Sequence, residues 1–567
     1  MDLNGLLTII GLVIAAYAIL PRERRLNLLL HLGIIESILI FITLIAVHYF
    51  QFYKYFEKIG LAIELNSIEP KDISYLLIIF TILILMIKVK WGKISNTRIF
   101  KFQALVEELN STDNHAVLIA LLDRNLEYVL NIYKNDFPLQ RLRKWLVPPS
   151  AISDKPKSGY QKWIRRIFYW LIFFIPNHEK RSSAAQNIIR TTFLNDQFAQ
   201  SVAKISPYFG MKAFVYEMEE FTEFVDIYLR QLFKKQDSIL YFEVKNNQNI
   251  SSSHRYLISE SNKLLAALFK DCKVAERLAV WKPIGEELIE YLVHLNKNKN
   301  IDEYNFEVWT FDKDFLKSPI SIGIRFFDLM VTEALFQNIH WHMWLYYFPH
   351  FTENICRNFE PKVSDEDLKY EFPTKYSTIL YSIISTQCDW IDILRDLPEE
   401  RDNIKLERTD CSNENGNIIK SSIISLAQCL YTISETETIP HDLKKTIFSR
   451  PISQYFKLRN YREPYIDRYA DALLICLLSG GPTGKFSKNY AQTLLLSVLE
   501  RNNIAEMEVA TKLINDIVEK IASSFWNENI EAITEFTDIE IKKEEKISYI
   551  SSKMGAYRYK LYIADSA

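Results

Sequence analysis

The sequence predicts a mainly α protein: an N-terminal transmembrane region of three helices, then a large all-α cytosolic body. The body is expected to be an irregular helical bundle or solenoid, with at most a small β element near 237–246. Three observations predict this. Glycine is scarce, 14 of 567 residues, whereas sheet-rich and nucleotide-binding α/β folds use many glycine turns. Three long apolar runs open the chain. Beyond residue 92 the apolar residues recur every three or four positions, the spacing of one helix face.

The three runs cover about 3–20, 26–50 and 73–91. A bilayer core of about 30 Å takes roughly 20 helical residues. The second and third runs meet that length and the first is slightly short. A cleaved signal would start basic and end at small residues. Here MDLNG is not basic and the run meets PRERR, so the first run reads as a retained span.

Orientation follows from Lys and Arg beside the spans. Arg22, Arg24 and Arg25 join runs one and two, and Lys88, Lys90, Lys93, Arg98 and Lys101 follow run three. The segment between runs two and three mixes Lys54, Lys58 and Lys71 with Glu57, Glu64, Glu69 and Asp72. The expected arrangement is a multi-pass protein of a bacterial inner membrane, with the amino terminus outside and residues 92–567 cytoplasmic. Six widely separated cysteines, none in Cys-x-x-Cys spacing, suit a reducing compartment.

Run two holds two ionisable residues, His31 and Glu36. Such groups inside a span are functional candidates, because a charge in lipid is costly. In a span of 26–50, Glu36 lies near the midplane and could line a pore or proton path. In a frame shifted to 37–53, it lies at the cytoplasmic interface.

Residues 92–146 read as a cytosolic helical connector and VPPSAISDKPKSGYQ, 147–161, as a linker. A helical domain follows over 162–405. Its first segment, KWIRRIFYWLIFFIPNHEKR, is too short to span. Trp163 and Trp170 suit a membrane interface, and Arg165 and Arg166 suit anionic lipid; a buried core helix is the alternative. In 214–233 the residues Phe214, Met218, Phe221, Val225, Tyr228 and Leu232 step by four and three, predicting one helix. LERTDCSNENGN, 406–417, is a polar loop, and 418–567 is a C-terminal helical domain.

Several motifs bear on chemistry. LLSGGPTGKFSKNY, 477–490, carries Gly484-Lys485, but Phe486 stands where a phosphate-binding loop needs Ser or Thr, and Ser479 where it needs the first Gly. It reads as the turn between two helices, so no nucleotide site and no cofactor is expected. His340, His342 and His350 are metal candidates, but His340 and His342 diverge on a helix, so a core helix ending at Pro349 is preferred and no metal is expected. DSILYFEVKNN, 237–247, reads as a strand with Glu243 and Lys245 on one face. Hydrophobic-Glu-x-Lys on a strand resembles one motif of the PD-(D/E)xK nucleases, which implies a metal-binding carboxylate at Glu243 and a catalytic role for Lys245. The family's upstream Asp is not matched: Asp226 lies in the helix of 214–233, and Asp237 is too close for a hairpin.

Formal net charge is −2, so no basic field points to nucleic acid. The expected partners are the lipid bilayer and either further copies of this chain or another protein. A small membrane module joined to a cytosolic helical module resembles the membrane effectors of bacterial self-killing or phage-defence systems. That resemblance implies a sensor that acts by protein–protein interaction, oligomerisation and membrane perturbation. The other readings are a membrane-tethered, metal-dependent nuclease and a passive membrane scaffold for a partner enzyme.

Overall fold

The computed structural model describes residues 17–63, 69–91, 98–134, 178–393, 418–524 and 539–561, with Gly11, Ala15 and Ile94 besides. Breaks within these blocks fall at 217, 219–220, 248, 252–254, 299–302, 307–314, 338, 340–342, 364–369, 461–463, 480–485, 502–505, 545–546 and 554–556. The chain is mostly helical, as expected. It divides into two compact units, Met1–Gly210 and Met211–Ala567. The expected linker at 147–161 and the polar loop at 406–417 lie outside the described residues.

The first unit begins with α1 (Arg22–His31), α2 (Ile34–Gln51), α3 (Tyr53–Lys58) and α4 (Pro70–Trp91). α2 and α4 pair along their length. Among the described residues, Pro70–Val89 is the one helix long and apolar enough by itself to cross a membrane, and only 11% of its most apolar window is buried, whereas a soluble core helix would be covered. α1 and α2 together pass the same test, but they are bent by 85°. Most of run one lies outside the described residues, with Tyr17–Ile19 helical.

The bend corrects the expectation of one continuous span over 26–50. Gly33 is a poor helix former, and Leu32 is extended at φ −85°, ψ 99°. The two sides of the break also face different surroundings. Asn27, Leu30 and His31 of α1 are buried, with α1 against α5 (Ile99–Ser111) and α6 (His115–Lys134). On α2, by contrast, Ile38, Phe41, Ile42, Leu44 and Ile45 are exposed.

α5 and α6 are covered by α7 (His178–Phe193), and α6 also by α8 (Asp196–Ile205), which leads into α9 (Pro207–Gly210). Asn195 caps α8, accepting from Phe198 N at 3.1 Å. Residues 178–210 thus pack with the connector helices that precede them.

The second unit is built around α16 (Pro319–Phe336), in which every residue but Arg325 and Phe336 is buried. A helix apolar on all sides belongs in the middle of a fold. Ser318 caps it with Pro319 in its first turn. Before it come α10 (Lys212–Val215), α11 (Thr222–Lys234), α12 (Ile239–Asn246), α13 (Lys263–Phe269), α14 (Cys272–Arg277) and α15 (Trp281–Lys297). After it come α17 (Tyr347–Asn358) and α18 (Lys375–Asp392). α12, α14, α15 and α18 surround α16. The expected single helix over 214–233 is interrupted between Val215 and Thr222, yet all six residues of its apolar face are buried.

α19 (Ile418–Glu435), α20 (His441–Asn460), α21 (Pro464–Ser479), α22 (Lys488–Leu499) and α23 (Met507–Ser524) continue the stack. The unit ends in an antiparallel sheet, β1 (Ile539–Glu544), β2 (Ile547–Ser552) and β3 (Tyr559–Leu561), in the order β1-β2-β3. β3 packs on α23. Among the described residues the strands therefore lie near the carboxyl end, with one isolated antiparallel bridge, Ile250–Tyr256, elsewhere. The strand expected over 237–247 is the helix α12, started by the Ser238 cap.

Candidate functional site

The polar groups gathered where α1 turns into α2 form the most informative site. Ending α1 at His31 frees backbone groups that must find partners. Arg98 Nε donates to the Leu32 carbonyl at 2.8 Å. Gly33 N donates to Glu36 Oε2 at 2.7 Å, and Ser37 Oγ donates to the Gly33 carbonyl at 2.9 Å. Lys88 Nζ, near the end of α4, donates to Glu36 Oε1. Glu36 is therefore a first-turn residue at the base of the α2–α4 pair, and its charge is matched by Lys88. Its side chain is 7% exposed against 38% for Lys88, so the pair is only partly desolvated.

The chain of contacts continues into the body. His31 Nδ1 donates to the Asn27 carbonyl at 2.8 Å, and Asn125 Nδ2 of α6 donates to Asn27 Oδ1 at 3.1 Å. His31 thus faces the body helices and not the apolar surface of a span. Polar contacts thus tie α1 to α6 through Asn27 and Asn125, and α2 to α4 through Glu36 and Lys88, on the two sides of the bend.

Along the pair, Thr43 Oγ1 and Thr81 Oγ1 are hydrogen bonded at 2.9 Å. Together with the Glu36–Lys88 contact this fixes an antiparallel hairpin. Its outer surface carries Phe41, Phe80 and Met86, 63%, 60% and 66% exposed, which is unusual for side chains in water. Its tip is aromatic: Tyr49, Phe50, Phe52, Tyr53, Tyr55 and Phe56. Tyr49 OH donates to the Leu61 carbonyl at 2.9 Å and accepts from Ile63 N at 2.9 Å, so the tip folds back on itself. Tyr-rich ends suit the boundary between lipid and water.

Arg22, Arg24 and Arg25 open α1 at the base of the hairpin. Arg22 is 4.0 Å from Glu108. Trp163, Arg165, Arg166 and Trp170 lie outside the described residues. Arg181, at the end of the same basic segment, is buried in α7 with Nη2 3.4 Å from Tyr128 OH, so it does not face lipid.

Glu243 is not a surface carboxylate on a strand. It is fully buried on α12, and its two oxygens accept from Leu264 N at 3.1 Å and Leu265 N at 2.9 Å. It stabilises the start of α13. Lys245 lies on the same short helix, over the Tyr241 ring. The strand pairing on which the nuclease resemblance rests is absent. His340 and His342 lie outside the described residues, and His350 is exposed on α17. Among the described residues, no three His, Cys, Asp or Glu side chains converge as a metal site.

The polar cluster that sequence reading missed centres on Asp328. Tyr256 OH donates to its Oδ2 at 2.6 Å and Arg325 Nη1 at 3.0 Å. Trp390 Nε1 donates to Oδ1 at 2.9 Å. Beside it Arg255 holds Glu333 through Nε at 2.9 Å and Nη2 at 2.6 Å. These carboxylates are engaged by side chains of the fold, which marks the cluster as structural. Its members are spread from 255 to 390, so no local pattern announces them.

The described cysteines, Cys272, Cys356, Cys388, Cys429 and Cys476, are buried thiols outside any disulfide. Burial pushes the Cys356 thiol up to about 12 and Cys429 up to about 11, which makes them poor nucleophiles. The 477–490 segment lies between α21 and α22 as expected. Ser487 caps α22, accepting from Tyr490 N at 3.1 Å, while 480–485 lie outside the described residues. No protein-family model matches the chain, and neither does any curated protein or solved structure.

Proposed function

We propose that this chain is a membrane-anchored sensor and effector, in which the helical body receives a trigger or protein partner and the α2–α4 hairpin responds within the bilayer. The single observation that supports the reading is the elbow at Leu32–Gly33. A displacement of α1 against α5 and α6 would reach the hairpin through Arg98, Gly33 and Glu36. Two thin spans enclose no pathway alone, so membrane perturbation requires several copies or a protein partner. With run one, about 3–20, as a third span beside the hairpin, the flanking Lys and Arg favour a cytoplasmic body, residues 92–567, and an outside amino terminus. The likeness to bacterial self-killing and phage-defence effectors rests on architecture only.

In this reading Glu36 acts through Lys88 as a latch. Reversing one charge sets two like charges against each other in a partly desolvated contact, at a cost of about 1.5 kcal/mol or more. Glu36→Lys and Lys88→Glu should each change dye leakage from liposomes by at least about tenfold, and the double reversal should return it toward wild type. The same full-length proteins are sized in detergent, where a closed homo-oligomer is expected. Four equal leakage rates would remove the latch. A wild type that is monomeric in detergent and inert in liposomes would sink the effector reading and leave a membrane scaffold for a partner.

A further inference from the structure

The base of the hairpin carries a surface that the elbow does not use. On a helix advancing 3.6 residues per turn, Asn27, Leu30 and His31 share the face of α1 buried in the fold. Arg25, Leu28 and Leu29 lie on the opposite side, with Arg24 beside Leu28. Leu29 is 49% exposed and Arg24 is exposed. Leu28 is one turn beyond both arginines and lies between them around the helix.

The nearby cations are already engaged: Lys88 with Glu36, Arg98 with the Leu32 carbonyl and Arg22 near Glu108. Arg24 and Arg25 have no acidic partner among the described residues, and Arg25 Nε is buried without a hydrogen bond. The bend of 85° sets α1 across the direction of α2. If α2 runs along the bilayer normal, α1 lies near the plane of the interface. α1 also packs against α4, on which Leu83 and Met86 are exposed.

We infer that α1 is an in-plane interfacial helix whose Arg24 and Arg25 hold the phosphate of an anionic phospholipid, with Leu28 and Leu29 in its acyl region. Guanidinium groups match phosphate oxygens in geometry and charge, and flanking leucines favour a lipid over a soluble anion. This rests on the membrane reading above.

The test reconstitutes the full-length chain in nanodiscs of phosphatidylcholine with phosphatidylglycerol, then extracts it gently and measures the lipids retained. Enrichment of phosphatidylglycerol on the order of tenfold is expected. Arg24→Gln with Arg25→Gln should abolish most of it, while Lys101→Gln with Arg124→Gln, an equal loss of charge on exposed body residues, should retain it. Equal enrichment in the two double variants would overturn the assignment, as would displacement of the lipid by inorganic phosphate. Resistance to alkaline extraction is read on the same samples. A wild type that resists alkali but shows no enrichment defeats the lipid site alone; one released by alkali defeats the membrane reading and the lipid site together.

Discussion

Glu276, near the end of α14, shows how one residue can tie the stability of the second unit to pH. Burial pushes its carboxyl up to about 7, against a backbone hydrogen bond from Met343 N at 3.3 Å that favours the charged form. Unfolded, the same carboxyl titrates near 4.5. Between those values the folded chain keeps a proton that the unfolded chain has released. Raising the pH removes it, so this residue's contribution falls across the window and levels off above about 7. Glu276→Gln should therefore lose less thermal stability than wild type between pH 5 and pH 8; an identical drop in the two proteins would refute the account. None of this was legible in the sequence, where Glu276 is one acid among many. Glu243 was legible as unusual, but for the wrong reason. Its apolar neighbours suggested a strand face, whereas they line a buried helix and the carboxylate caps the next one.

Packing between whole elements depends on close approaches that small residues permit. A methyl group at Gly323 of α16 would stand 2.6 Å from Leu288 Cδ2 of α15 and 3.3 Å from Phe233 Cζ of α11. Alanine is the better helix former by about 1 kcal/mol, but the crowding acts against it. Gly323→Ala is expected to lower stability by about 1–2 kcal/mol net, read from the shift of a denaturant midpoint; a stabilised variant would show that Leu288 turns aside freely. The long helices were legible because their three-to-four spacing is strong. The short ones were not: α12 imitates a strand through Leu240, Phe242 and Val244, opposite Glu243 and Lys245, and only Ser238 and the tertiary setting decide against it. The sheet at β1–β3 was missed, although the start of β1, IEIK, alternates as strands do; ISYISS does not keep the alternation, because Tyr549 and Ile550 are adjacent. The break at Gly33 was also hidden, because hydropathy does not distinguish a span from an amphipathic helix joined to one.

At the scale of the whole molecule, the topology is open to chemical labelling. Glu57 on α3 and Glu107 on α5 are exposed, and the described native cysteines are buried. In intact cells a membrane-impermeant maleimide should label Glu57→Cys and spare Glu107→Cys; the reverse pattern would invert the orientation. The apolar helix α4 was legible in the sequence, because a long uncharged run leaves few alternatives to a long apolar helix. The elbow was not, because Asn27, Asn125, Arg98 and Lys88 meet only after folding.

The order of synthesis gives the elbow one more consequence. The hairpin is complete once Trp91 is made, but α6, which holds Asn125, comes later, and its cover α7 ends at Phe193. At typical elongation rates the delay is on the order of 5–20 s. On the membrane reading proposed above, the hairpin enters the bilayer in that interval while α1 still lacks its docking surface. Each newborn chain therefore passes through an unrestrained stage before its own downstream helices close over it, and ribosomes that stall between Trp91 and Phe193 would leave that stage behind.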